Sequence, residues 1–151
     1  MLTRDQIAAR VARELPDGAS VSLDPAWASE IRAKLPAGVS VKEPAEGELD
    51  VAVVAVDTIT VAGEFAGSVR AAKSVIAIVA AHKAEGVSHV TAANASLPAK
   101  AQRVISNLAL FEVTPEGLVM REVAQGVSAL DVQLESDSPL LASDELKVMN
   151  V

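Results

Sequence analysis

Two short runs restrict the folds open to this chain more than any other feature. Leu49 to Val56 and Ser74 to Ala80 are nearly continuous apolar stretches rich in β-branched residues. β-Branched side chains fit a pleated surface, and a run without polar alternation has no face to offer water. Each run therefore reads as a strand buried on both sides, as in a parallel sheet covered by other layers.

The segments around these runs supply the cover. Leu2 to Leu15 reads as a helix, with Thr3 and Gln6 spaced as a capping box and Ile7, Val11 and Leu15 on one stripe. Pro16-Asp17-Gly18 ends it. Ala19 to Leu23 alternates as a strand does. Asp24-Pro25 reads as a helix start, with the helix running to Lys34 before Pro36-Ala37-Gly38. Val39 to Lys42 reads as a short strand, Phe65 to Ala72 as a short helix and Val87 to Thr91 as a strand. Leu108 to Val113 and Leu118 to Val123 flank Thr114-Pro115-Glu116-Gly117 as a hairpin, and Ser128 caps a short helix to Leu134. The expected fold is α/β: a single domain over 1–151, with a mainly parallel sheet flanked by helices.

Composition then excludes several function classes. Half of the 151 residues are hydrophobic, which rules out intrinsic disorder. Aromatics are only 2%, so Val, Ala, Leu and Ile build the core. There is no cysteine, hence no disulfide, thiolate nucleophile or zinc–thiolate site. A net charge of −7 with dispersed basic residues opposes binding to nucleic acid. The longest apolar run, Val75 to Ala81, is far short of the ~18 residues of a membrane span. Arg4 and Asp5 interrupt the start too early for a signal peptide, so a soluble cytoplasmic protein is expected.

Few residues offer chemistry on spacing alone. The glycines are scattered, with neither a dinucleotide fingerprint nor a Walker pattern. His82 and His89 adjoin apolar stretches and read as structural. Glu43, Glu46, Glu48 and Asp50 form an acidic cluster that reads as a solvated charge run, or as a base or nucleophile if desolvated. Asp57 follows the first apolar run, where α/β proteins place functional side chains and also turn caps. Trp27 and Phe65 read as anchors between layers.

Longer stretches carry a resemblance. Arg103-Val104-Ile105-Ser106-Asn107-Leu108-Ala109-Leu110-Phe111-Glu112-Val113-Thr114-Pro115-Glu116-Gly117-Leu118 is similar to a run of the type R-I-I-T-D-L-A-V-F-D-V-T-P-D-G-L. That run occurs near the end of the B-type subunit of 3-oxoacid CoA-transferases. Glu122 to Ser128, the ending Ala142 to Met149, the opening Met1 to Gly18, and Leu49 through Ala66 also resemble that family. The resemblance implies a glutamate nucleophile that attacks an acyl-CoA thioester and carries CoA as a glutamyl thioester. The family's S-E-N-G motif falls without gaps on Ala45-Glu46-Gly47-Glu48, which puts Glu46 at the nucleophile's position.

The departures from the family matter as much. Its N-L-G-I-G-I-P loop corresponds to Ser22-Leu23-Asp24-Pro25-Ala26-Trp27-Ala28, with both loop glycines replaced. A long segment after the S-E-N-G motif and the G-M-G-G-A-M-D-L loop are missing. Such glycine loops let backbone N–H groups approach an oxyanion. The expectation is a shortened relative of the B-type subunit, not catalytic by itself, that keeps the scaffold for association with itself or with an A-type CoA-transferase subunit. One alternative is an active B-type subunit working through Glu46. Another is a module that binds CoA thioesters or small acids. No cofactor or metal is expected.

Overall fold

The computed structural model describes residues 1–42, 49–67, 72–80, 83–84 and 87–150. In chain order the first elements are α1 (Arg4–Glu14), β1 (Ser20–Leu23), α2 (Ala28–Arg32), β2 (Ser40–Val41) and β3 (Leu49–Ala55). Six further strands follow: β4 (Ile59–Thr60), β5 (Glu64–Phe65), β6 (Ala72–Val79), β7 (Lys83–Ala84), β8 (Val87–Ser88) and β9 (Val90–Thr91). The last elements are β10 (Ala99–Lys100), β11 (Arg103–Ser106), β12 (Ala109–Thr114), β13 (Gly117–Val123), α3 (Ala129–Leu134) and β14 (Leu141–Val148).

The two apolar runs form β3 and β6, adjacent at the centre of an eight-stranded sheet of order β14-β13-β12-β11-β6-β3-β1-β2. The five strands from β11 to β2 are mutually parallel. β12 and β13 add antiparallel hairpins, and α3 carries the chain across to β14, parallel to β13. The fold is thus the α/β, mainly parallel arrangement that the sequence implies.

Strand geometry explains why both faces are apolar. Successive side chains point to opposite sides. Val51, Val53, Ile76, Ile78 and Ile105 join Ile7 and Val11 of α1 and Ile31 of α2 in one core. Ala52, Val75, Ala77, Val79 and Val104 join Ile59, Phe65, Val90 and Val132 in the other. Helices α1 and α2 thus cover one face. Short strands and α3 cover the second. Trp27 is 2% exposed and Phe65 equally buried, each in the anchoring role read from the sequence.

The caps also form as the sequence implies. The Thr3 hydroxyl accepts from the Gln6 N–H at 3.2 Å, and the Gln6 side chain accepts from the Thr3 N–H at 2.9 Å. Ser128 and Asp131 make the same reciprocal pair on α3. Other expectations are corrected. Phe65 lies in β5, paired with Ala99, and Ala72 opens β6, so no helix spans these two positions. Residues 68–71 of that segment lie outside the described residues. Helix α2 stops at Arg32 rather than Lys34, and its N-cap is Trp27, not Asp24. The Asp24 side chain is committed elsewhere, as described next.

Candidate functional site

Parallel α/β sheets present ligand sites at the carboxyl ends of the strands, where consecutive connections leave in opposite directions. Here β1 lies between β2 and β3, so the chain passes from β1 to one side and returns on the other. The switch point is the crevice between the carboxyl ends of β1 and β3.

That crevice is filled from within the chain. Asp24 follows β1, and its backbone N–H donates to the Val53 carbonyl at 2.9 Å, extending the ladder by one rung. The next rung would run from the Ala55 N–H to the Asp24 carbonyl, but that carbonyl turns away and accepts from the Trp27 N–H at 2.9 Å. The Asp24 carboxylate substitutes for it. Oδ2 accepts from the Ala55 N–H at 3.0 Å and Oδ1 from the Ala26 N–H at 2.9 Å. Two backbone donors that face an anion are therefore taken by the chain's own carboxylate. Sequence reasoning missed this because Asp24 and Ala55 are 31 residues apart.

Beside this crevice, Val56, Asp57, Thr58, Thr60, Glu64 and Asn94 border a cleft of about 390 Å³. Asp57 is exposed there. Glu64 Oε1 accepts from the Thr60 hydroxyl at 2.9 Å and the Asn94 N–H at 2.7 Å, which holds the loops together. The charged groups on this cleft are carboxylates, and no lysine or arginine lines it among the described residues.

A second cleft, about 470 Å³, lies at the opposite, amino ends of β1, β3, β6 and β11. Four of its charged groups pair with one another, Asp50 with Lys73 and Glu14 with Arg103. Asp50 accepts from the Ser20 N–H at 2.9 Å and lies 3.5 Å from Lys73 Nζ. The Ser20 hydrogen bond, aided by Lys73, holds the Asp50 carboxyl below its ordinary range. Asp50 thus fastens β1 to β3 and is separated from the switch point by the length of the strands.

The strongest charged cluster is structural. Arg10 is only 8% exposed on the sheet-facing side of α1. Its Nε and Nη2 donate to the two Glu122 oxygens at 3.0 and 2.5 Å, and Nη2 lies 2.6 Å from Glu14. Arg103 closes the network on Glu14. Burial alone lowers the guanidinium's affinity for its proton, but the Glu122 hydrogen bond and the fields of Glu14 and Glu122 outweigh it and raise the pKa. The same hydrogen bond lowers the Glu122 carboxyl. A fork-to-fork pair of this kind fixes α1 on β13.

Glu43, Glu46, Glu48 and His82 lie outside the described residues. The His89 carbonyl accepts from the Ile59 N–H at 2.8 Å, joining β9 to β4. No cluster of three metal-ligating side chains occurs among the described residues, and none of their buried side-chain polar atoms lacks a partner. No described helix is long and apolar enough to cross a membrane.

No protein-family model and no curated protein matches the chain. Solved structures do. The decarboxylase AibA/AibB superposes with a TM-score of 0.70 at 12% identity, over 100% of this chain and 90% of that one. The acyl-CoA transferase YdiF of Escherichia coli O157:H7 gives 0.74 at 17% identity, over 97% of this chain and 43% of that one. Glutaconate coenzyme A-transferase from Acidaminococcus fermentans gives 0.63 at 11% identity, over 98% and 89%. These likenesses establish the architecture: the chain has the CoA-transferase type of α/β fold.

Proposed function

We propose that this chain is a non-catalytic relative of the CoA-transferase B-type subunit, which keeps the scaffold and acts by association with another chain. Asp24 is the observation that carries this reading. Acyl transfer from a thioester develops an oxyanion that needs preorganised N–H donors at the reacting centre. The Ala26 and Ala55 donors at the switch point already bind a carboxylate. An arriving oxyanion would meet both occupied donors and a like charge. The B-type assignment rests on the resemblance of Arg103 to Leu118 and of the two chain ends. Association is supported by the company the fold keeps, since it makes up less than half of the YdiF chain and the decarboxylase is named as a pair.

The test supplies an A-type CoA-transferase subunit, an acyl-CoA and a 3-oxo acid, and follows CoA exchange together with sedimentation velocity. The expected result is no exchange above background and a dimer or a complex in sedimentation. Exchange that disappears in Glu46→Gln would establish the active alternative, with Glu46 as nucleophile. A strictly monomeric chain that ignores the A-type subunit would remove the association. The binding-module alternative is disfavoured by charge, because the cleft beside the switch point presents Asp57 and Glu64 to a phosphate-bearing ligand. CoA thioesters are therefore expected to leave the melting temperature unchanged.

A further inference from the structure

One surface narrows the kind of partner, given the association reading above. The Leu2 N–H donates to the Asn107 carbonyl at 2.7 Å, which seats Met1 at the carboxyl end of β11 beside α3. On α3, Val132 is buried in the core, while Leu130 and Leu134 face outward, each 66% exposed. Met1 is 80% exposed. A cleft of about 320 Å³ opens between Met1 and Leu134, with Leu108 and Val127 in its wall and Asp131 and Glu135 on its rim. Isolated exposed leucines are ordinary, but two at i and i+4 beside an apolar cleft form the kind of surface on which an amphipathic segment docks.

Charge selects the occupant. The charged side chains that line this cleft are Asp131 and Glu135, and no lysine or arginine lines it among the described residues. Two copies joined through this face would bring like charges together, so a second copy is a poor occupant. A basic segment is complementary in both charge and hydrophobicity. We propose that the face formed by Met1, Leu130 and Leu134 receives a basic amphipathic segment of a different chain. One large apolar side chain enters the cleft, and its basic neighbours lie against the acidic surface around Asp131 and Glu135.

The experiment uses the full-length chain, labelled with ¹⁵N, and two synthetic 14-residue amphipathic peptides: one of leucine and lysine, the other with glutamate in place of lysine. The lysine peptide is expected to bind, with amide shifts centred on Leu108, Val127 and Leu134. Leu130→Ser combined with Leu134→Ser is expected to weaken it by about tenfold or more. These positions are largely exposed, and an unchanged spectrum elsewhere verifies folding. The glutamate peptide is expected not to bind. Failure of the lysine peptide to bind, equal binding of both peptides, or undiminished binding to the double variant overturns the proposal. A complex with an A-type subunit that survives the double variant places association on another face. In that outcome the scaffold reading stands and this inference fails.

Discussion

Asp24→Ala removes a carboxylate that ties the end of β1 to the end of β3 through two backbone donors. A hydrogen bond to a charged group contributes roughly 1.5–3 kcal/mol. Ala26 is exposed, so water replaces its partner at little cost. Ala55 is half-buried, and its N–H stands where the β1 ladder has run out, so most of the loss falls there. The expected destabilisation is about 2 kcal/mol, or roughly 4–8 °C in melting temperature for a domain of this size. Asp24→Asn keeps an acceptor but loses the charge, and is expected to cost about 1 kcal/mol. Urea titration with an unchanged slope is the assay. Formate at about 0.2 M should recover part of the Asp24→Ala loss by occupying the vacated donors, and should leave the parent chain unaffected. A variant within about 0.5 kcal/mol of the parent, or one that formate stabilises no more than the parent, refutes the reasoning.

Other consequences follow from the same contacts. Arg10→Met leaves Glu122 and Glu14 without their shared cation and is expected to cost about 3–5 kcal/mol. Arg10→Met with Glu122→Met should recover much of this in urea titration, and a single-variant loss below about 1 kcal/mol contradicts the network's role. The Glu122 carboxyl, lowered from its ordinary 4.5 mainly by the Arg10 hydrogen bond, gives a defined pH dependence. A depressed carboxyl stabilises the fold above its unfolded pKa, and that contribution is lost as pH falls through the folded value. Urea midpoints should therefore hold above pH 4.5 and decline below it, less steeply in Glu122→Gln; identical slopes would contradict the assignment. Gly63 has φ +81°, and an added Cβ would lie 2.7 Å from both the Ala101 carbonyl and a Val113 methyl. Gly63→Ala is expected to cost about 2 kcal/mol or more, and a neutral effect would show that the turn relaxes freely.

What the sequence disclosed was what short-range chemistry decides. The Thr3–Gln6 and Ser128–Asp131 caps close within one helical turn, and the Thr114–Gly117 turn closes within four residues. The β-branched runs announced β3 and β6 because burial on both faces leaves no room for polar side chains. Elements defined by distant partners were not legible. β11 opens on Arg103 and is a strand because β6 and β12 lie on either side. β14, Leu141 to Val148, is mostly exposed and half polar, without strand alternation, and only pairing with β13 makes it a strand. Its register slips between Met120 and Glu122, a bulge of the kind that blunts a sheet edge. Asp24 looked like a helix cap because an aspartate before proline is locally suited to capping, yet it bonds Ala55 across the switch point. Arg10 joins Glu122 over 112 residues, and its only local sign was a charged residue among the apolar positions of α1.

The most direct measurement is a ¹⁵N amide titration of the parent chain and of Asp24→Ala with acetyl-CoA and with acetate. A switch point occupied by its own carboxylate predicts that the Ala26 and Ala55 amide resonances of the parent stay fixed, while those of the variant move with acetate. Movement of both resonances in the parent on adding acetyl-CoA would show that a substrate displaces Asp24, and would contradict the account.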